Sequence, residues 1–200
     1  MKKGKNQEIR MKLLKNPAAR FEEINRIYEE AFPEIERRTK EKQRDLLTHP
    51  LYRLLAIEEE GEIQAFLGYW ILPDCVFFEH LATAKKSRGK GYGKELLKRG
   101  LDGLNKPVFL EIEPVTPKDP ITEKRADFYK NMGFIVNRFP YLQMPLKQGD
   151  RPIPLWIASY KQPINEETFR PFKKQIYENV YGIKGDLYLH EIGKEYIYYI

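Results

Sequence analysis

The sequence lacks most of the features that mark secreted and membrane proteins. It has one cysteine, Cys75, in 200 residues, so no internal disulfide can form and a reducing compartment is indicated. No apolar run approaches the roughly 20 residues that cross a bilayer, and the lysine-rich start has no apolar segment typical of a signal peptide. We therefore expect a cytoplasmic protein with no membrane partner and a packing role for the cysteine.

Metal-ligand patterns and two common nucleotide loops are also missing. His49 and His190 have no second ligand at a metal-binding spacing, so we expect no metal site. A dinucleotide fingerprint would need glycine at position 94, which is Lys94. A P-loop would need glycine at position 88 and Ser or Thr at 95, which are Arg88 and Glu95. These exclusions leave open what the glycine-rich stretch over residues 85–97 binds.

That stretch still has the composition of a polyphosphate-binding loop. Gly89, Gly91 and Gly93 fall within five residues, directly ahead of an apolar pattern with helical spacing. Glycine lets the backbone approach a ligand closely, and the N–H groups of a helix's first turn favour anions. A solvated basic turn is the alternative interpretation. The cations of the stretch are Lys85, Lys86, Arg88, Lys90 and Lys94.

The net charge of +6 would permit nucleic-acid binding, but the loop lacks the aromatic side chains that usually accompany it. Surfaces that bind single strands interleave aromatic residues with cations, and Tyr92 is the one aromatic residue between positions 85 and 99. The 29 acidic residues nearly balance the 35 basic ones. A modest excess of positive charge suits a protein that holds a multiply charged cofactor. We therefore expect no nucleic-acid partner.

Hydrophobic periodicity predicts one mixed domain over residues 1–182, followed by a tail of uncertain role over 183–200. Strands at 52–57, 63–72 and 76–83 form an antiparallel meander, with Gly61 in the first turn. The strand at 108–113 follows a loop and a helix, so it should pair in parallel with 76–83. The other predicted elements are strands at 8–14, 134–136, 141–144 and 154–160 and helices at 17–32, 122–132 and 169–181. The charged segment at 34–44 is either a second, more exposed helix or a mobile connection, and in both cases its charges form a solvated face.

Two motifs, in this order, resemble those of one family. Arg88-Gly-Lys-Gly-Tyr-Gly93 is similar to the R/Q-x-x-G-x-G/A loop of the GNAT superfamily, the acyl-CoA-dependent N-acetyltransferases. Downstream, Arg125-Ala-Asp-Phe-Tyr-Lys-Asn-Met-Gly-Phe134 resembles the second signature of that superfamily, an aromatic–tyrosine pair on a short helix before Gly-Phe. The resemblance covers residues 8–160, and the remainder is less characteristic.

The resemblance implies an α/β (α+β) fold, a mixed, mainly antiparallel central sheet with two splayed parallel strands and helices on both faces. The splay between strands 76–83 and 108–113 would admit the pantetheine arm of acetyl-CoA, the cosubstrate. Backbone N–H groups of the glycine loop would bind its pyrophosphate. By carry-over, the cofactor-binding residues would be Leu81, Ala82, Thr83, Arg88, Gly89, Lys90, Gly91, Tyr92, Gly93, Lys94, Arg125, Phe128 and Tyr129.

The resemblance also implies a general acid, at Tyr129. A phenol at this position protonates the departing CoA thiolate in many members of the family. The alternative is that Tyr129 packs as an aromatic residue beside Phe128.

The general base is less well defined, and three carboxylates are candidates. Strand alternation puts Glu79 on one face with Phe77, Leu81 and Thr83, which is the parity of the catalytic carboxylate in some relatives, so Glu79 is the first choice. Glu111 and Glu113 share a face of the partner strand and are the other candidates, which could either bind a cationic acceptor or relay a proton through water. Each carboxylate could instead form a salt bridge.

The expected reaction is acetyl transfer to a primary amine, on a small molecule or a peptide, by direct attack. The acidic candidates favour a cationic acceptor, and Tyr141, Gln143 and Trp156 fall where family members often line the acceptor site. The alternative is a non-enzymatic acyl-CoA-binding regulatory module that lacks a functioning base. We expect a monomer or a homodimer.

Overall fold

A seven-stranded mixed sheet forms the centre of the computed structural model, which describes residues 12–183. The strand order is β1-β2-β3-β4-β5-β7-β6, and every neighbouring pair is antiparallel except β4–β5. The predicted tail, apart from its first residue, and the start of the predicted strand at 8–14 lie outside the described residues. The strands are β1 Lys12–Leu13, β2 Tyr52–Glu59, β3 Glu62–Ile71, β4 Val76–Thr83, β5 Val108–Ile112, β6 Phe134–Gln143 and β7 Ile153–Tyr160.

Alpha-helices within residues 12–183 cover the two faces of this sheet. Helices α3 and α4 pack on one face around Leu96, Leu97 and Ala126, and α1 and α5 pack on the other around Ile24 and Phe169. The predicted fold class is therefore confirmed. None of the helices within residues 12–183 is long and apolar enough to cross a bilayer. The helices are α1 Phe21–Ala31, α2 Lys40–Asp45, α3 Tyr92–Leu101, α4 Pro120–Asn131 and α5 Glu166–Asn179.

The hairpin between β2 and β3 explains how the meander begins. Glu60 and Gly61 both have positive φ angles, 53° and 79°, as the tight mirror-image turns of two-residue hairpins require. The third strand pairs antiparallel with the second over most of its length. The predicted meander is confirmed, and it directs the end of β4 into the glycine-rich loop.

The parallel pair β4–β5 is joined for only a short distance. The paired residues are Val76 with Val108, Phe77 with Phe109, and Phe78 with Leu110. Beyond Phe78 the two strands have no further pairing, although β4 continues to Thr83. This is the splay that the family resemblance implied, and we call it the fork.

The alternation predicted for β4 is wrong beyond Phe78. His80 pairs with Gly68 while Phe78 pairs with the adjacent Tyr69, so Glu79 is the extra residue of a β-bulge. The bulge reverses the phase of the strand. Leu81 therefore joins Phe78 on the α3 face, and Thr83 also faces α3, as its contact with position 93 indicates. His80 and Ala82 face α1.

Two further predictions need correction. The strands expected at 134–136 and 141–144 are parts of one strand, β6, whose register shifts between Asn137 and Tyr141. The charged segment at 34–44 contains most of α2, as the helix alternative predicted, but it is not a uniformly solvated face. Arg38 and Gln43 are 8% and 6% exposed, because both side chains turn towards the sheet.

Candidate active site

The glycine-rich loop joins the open end of β4 to the start of α3. Gly89 and Gly91 have φ angles of 77° and 90°, in the left-handed region that a residue with a Cβ rarely adopts. Gly91 is the N-cap residue of α3, so the unpaired N–H groups of that helix's first turn follow it directly. The loop therefore combines two obligatory glycines with a helix N-terminus at the fork.

Gly93 lies where α3, α4 and the end of β4 meet. A Cβ at this position would lie 3.6 Å from the ring of Phe128 and 3.6 Å from Thr83 Oγ1, and 4.0 Å from Leu81. The structure thus brings four of the predicted cofactor-binding residues together. Tyr92, by contrast, is buried and its hydroxyl donates to Glu59, which leaves only its backbone facing the loop.

One edge of β4 is free of strand pairing at the fork. Leu81, Ala82 and Thr83 pair with β3 on one side, whereas on the β5 side the pairing ends at Phe78. Backbone amides at such an edge need partners. Arg125, on α4, forms an exposed ion pair with Glu113, so both residues already have a partner at the rim of the fork.

Glu79 is the first residue of β4 beyond the last strand pair, and its carboxylate is held by buried donors. Its side chain is 1% exposed and forms an ion pair with Arg38 Nη1 at 2.6 Å. Trp70 Nε1 donates to its second oxygen over 2.8 Å. Burial raises the pKa of Glu79, but the charge of Arg38, together with the neighbouring His80 and Trp70 side chains, outweighs it and holds the pKa at about 2. Glu79 is therefore ionised at neutral pH.

Glu111 is the first residue of β5 beyond the same pair, and its environment is different. The hydroxyls of Tyr141 and Tyr181 donate to one of its oxygens over 2.6 and 2.7 Å, and the Tyr181 hydroxyl lies 2.9 Å from the other. Burial raises the pKa of Glu111 to about 7, because the tyrosine hydrogen bonds only partly oppose it and the charge of Glu79 adds to it. Two carboxylates at one fork thus have widely separated pKa values.

Tyr129 lies on α4, where it is partly buried and packs against the core of the α3 face. Its ring centroid is 5.2 Å from that of Phe128 and 5.9 Å from that of Phe134. Burial raises the pKa of the Tyr129 phenol to about 12, so the hydroxyl keeps its proton at neutral pH. The packing contacts and a proton-donating role are compatible.

Three residues of this site were missed by the sequence analysis: Arg38, Trp70 and Tyr181. Arg38 lies in a run of charges that is typical of a solvated face. Trp70 is part of a predicted strand, but its partner depends on the bulge at Glu79. Tyr181 lies 70 residues from Glu111. None of these contacts has a local sequence signal.

A cleft of about 290 Å³ lies beside these partners of the two carboxylates. It is bounded by α2, the segment at 145–146 and the end of α5. Within residues 12–183 no cluster of three or more His, Cys, Asp or Glu side chains could hold a metal ion. The cleft is lined by Arg38, Leu46, His49, Trp70, Leu146 and Tyr181, among others.

Comparison with known proteins relates this fold and fork to one family. The sequence model of the acetyltransferase (GNAT) family matches residues 20–134, more than half of the chain. YjbC of Bacillus subtilis (strain 168), a protein assigned to the acetyltransferases, is 32% identical over 118 residues. That match covers 58% of this chain and 60% of YjbC, so less than two thirds of that relative is spanned.

Solved structures show the same fold. A protein from Bacteroides thetaiotaomicron, assigned to the GNAT acetyltransferases, is 26% identical with a TM-score of 0.75, covering 88% of this chain and all of that one. The PaiA N-acetyltransferase of Thermoplasma acidophilum, solved in complex with coenzyme A, shares the fold at 15% identity and a TM-score of 0.56, covering 76% and 99% of the two chains. This chain belongs to the acetyltransferase (GNAT) family, which uses acetyl-CoA.

The ion pair between Arg38 and Glu79 gives a stability prediction. Arg38→Met leaves the Glu79 carboxylate buried without its partner, and we expect a loss of about 3–5 kcal/mol in the free energy of unfolding, measured by urea denaturation at pH 7. Arg37→Met, at the half-buried neighbour, is the matched control and should lose under about 1 kcal/mol. Equal losses in the two variants would contradict the account.

The same pair predicts a pH dependence. The pKa of Glu79 is about 2 when folded against an ordinary value of 4.5, so the pair's contribution is present above pH 4.5 and lost as the pH falls towards 2. The stability difference between the wild type and Arg38→Met should therefore shrink over this range. Adding Glu79→Gln to Arg38→Met should recover part of the loss at pH 7.

Proposed function

We propose that this protein is an N-acetyltransferase that moves an acetyl group from acetyl-CoA to a primary amine by direct attack. The observation that carries the proposal is the fork, where a free strand edge, a glycine loop at a helix N-terminus and a carboxylate of pKa about 7 occur together. Membership of the GNAT family supports acetyl-CoA as the donor.

The residues around the fork fit the donor. Amides from Arg88 through Lys94 would hold the pyrophosphate, since a helix N-terminus with left-handed glycines favours anions. The free edge of β4 over Leu81–Thr83 would pair with the pantetheine amides. The absence of a side chain at Gly93 leaves space beside Phe128 and Thr83 for the cofactor. Acetyl-CoA, when bound, supplies an activated thioester.

Glu111 is the base in this proposal. It would take the proton from the amine, directly or through water, and a base is most effective when its pKa lies near the working pH. Glu79 was the first choice from the sequence, but a carboxylate of pKa about 2 that is held by Arg38 accepts a proton poorly. We assign Glu79 an electrostatic role, because its negative charge helps to raise the pKa of Glu111.

Tyr129 is the general acid in this proposal. The departing thiolate needs a proton, and the Tyr129 phenol holds one at neutral pH because burial raises its pKa to about 12. Since this pKa is above the roughly 8.5 of a thiol, the phenol would first stabilise the developing thiolate by donating a hydrogen bond, and completing the proton transfer costs free energy. Its position on α4, next to Phe128, puts it in the helix that borders Gly93 and the end of β4. The aromatic contacts would then orient the ring.

The cleft beside Trp70 and Tyr181 is the proposed entrance for the acceptor. It touches the partners of both carboxylates, Arg38 for Glu79 and Tyr181 for Glu111. Its volume of about 290 Å³ is at the small end of ligand sites. A small amine, or the end of a peptide, fits this space better than a folded protein surface.

The first test is release of free CoA thiol from acetyl-CoA across a panel of amines, followed against pH. Glu111→Gln should lower the rate by about 10²-fold or more, and Tyr129→Phe should also lower it. The wild-type rate should rise with pH through about 7, because Glu111 must lose its proton to act. Glu113→Gln is the matched control, as Glu113 follows directly after the end of β5, two residues from Glu111, but pairs with Arg125 at the surface.

Glu113→Gln should keep the rate and its pH dependence. A loss in Glu113→Gln equal to that in Glu111→Gln would contradict the assignment of the base. Tight acetyl-CoA binding with no thiol release for any amine would instead favour the non-enzymatic regulatory module.

The second test concerns the donor site. Gly93→Val adds a branched side chain beside Phe128 and Thr83, and we expect acetyl-CoA affinity by calorimetry to fall at least about tenfold. Lys98→Val puts the same side chain on an exposed position of the same helix and should leave the affinity nearly unchanged. Circular dichroism checks that both variants fold. Wild-type affinity in folded Gly93→Val would contradict the proposed donor site.

A further inference from the structure

Tyr181 connects the acceptor cleft to the proposed base. It follows α5 and lines the cleft, and its hydroxyl lies 2.7 and 2.9 Å from the two oxygens of Glu111. Tyr141, on β6, donates to the same carboxylate over 2.6 Å from the sheet side. One of the two hydroxyl groups that hold Glu111 is therefore also part of the cleft wall.

The backbone around Tyr181 is fixed by contacts on both sides. Arg38 Nη2 donates to the carbonyl oxygen of Val180 over 3.1 Å, and the same guanidinium pairs with Glu79. Ile183 N donates to the carbonyl of Tyr177 over 2.9 Å. The position of the Tyr181 hydroxyl is thus set by the end of α5 and by the arginine that holds the other carboxylate.

This segment lies outside the part of the chain that the family match covers. The family's sequence model ends at residue 134, whereas α5 begins at Glu166. Tyr181 is consequently a feature of this chain that the family comparison does not assign, and its contact with Glu111 is visible only in the folded structure.

We propose, on the basis of the function proposed above, that Tyr181 is a positioning residue that holds the Glu111 carboxylate in the orientation in which it receives the acceptor amine. The two tyrosine hydroxyls occupy acceptor sites on the carboxylate and restrict its rotation. An amine that enters from the cleft approaches Glu111 past the Tyr181 ring. The Glu111 carboxylate is therefore already in its productive orientation before the acceptor amine binds.

Several other ionisable groups face Glu111, and their effects on its pKa decide which variant can serve as the control. Glu79 on β4 and Glu36, in the turn before α2, raise its pKa through their charges, and Tyr141 lowers it by a hydrogen bond. Tyr177 on α5 also faces Glu111, but its hydroxyl donates to the carbonyl of Leu142 over 2.6 Å. Tyr177 therefore offers the same side chain without the hydrogen bond to the base.

The test compares Tyr181→Phe with Tyr177→Phe. Loss of the Tyr181 hydroxyl removes a donor that favours the ionised form, so the pKa of Glu111 should rise by about one unit. The acid limb of the kcat/KM profile should move upwards by the same amount, which lowers kcat/KM at least about fivefold at pH 7. At pH 9, where Glu111 is ionised in both proteins, kcat/KM of Tyr181→Phe should stay below the wild-type value, because the carboxylate is no longer held in its orientation. Tyr177→Phe should leave the limb in place.

A second measurement does not depend on catalysis. Carbon-13 NMR of protein labelled in its glutamate carboxyl groups follows the titration of Glu111, whose signal is assigned by its absence in Glu111→Gln. Tyr181→Phe should raise the midpoint, and Tyr177→Phe should not. An unchanged midpoint in Tyr181→Phe, or equal shifts in both variants, would overturn the proposal.

The two proposals fail in distinguishable ways. If the wild type released no thiol, the proposed acetyltransferase reaction would be overturned. A raised titration midpoint of Glu111 in Tyr181→Phe would still support the hydrogen bond by which Tyr181 holds Glu111. Normal thiol release with an unmoved acid limb in Tyr181→Phe would overturn the positioning role alone.

Discussion

The end of strand pairing between β4 and β5 is the constraint on which the candidate site depends. After Phe78 and Leu110 the strands separate, and this single event frees one edge of β4 and puts Glu79 and Glu111 at the head of the gap. Backbone groups freed in this way need other partners, which an extended cofactor with its own amides can supply. Because β4 leads directly into the glycine loop, the free edge and the anion-binding helix N-terminus are continuous.

The two carboxylates at the fork show how different surroundings at one site yield opposite acid–base properties. Arg38 neutralises Glu79 and keeps its pKa near 2, whereas Glu111 is half-buried beside two tyrosines and has a pKa of about 7. Groups whose surroundings separate their pKa values in this way are the usual sign of divided acid–base roles. The end of α5 contributes to the surroundings of both carboxylates. The Val180 carbonyl accepts a hydrogen bond from Arg38, the partner of Glu79, and the Tyr181 hydroxyl donates one to Glu111.

Most of the fold could be predicted from the sequence because its signals are local. Turn residues such as Gly61, helical spacing after Gly93 and the order of the two motifs depend on neighbours in the chain. The bulge at Glu79 could not be predicted, since it reflects the pairing register with β3. Arg38 and Tyr181 were missed for the same reason, because a buried charge and a contact over 70 residues arise only from tertiary packing.

The most direct measurement of the central claim is amide hydrogen exchange with and without acetyl-CoA. If the fork is the donor site, exchange should slow at amides of residues 81–83 that face the free edge of β4 and at residues 88–94 of the glycine loop, because the cofactor supplies their missing partners. Amides in the paired part of β4, over 76–78, should change little. If saturating acetyl-CoA gave no protection at the fork, or protection only in other parts of the chain, the result would contradict the account.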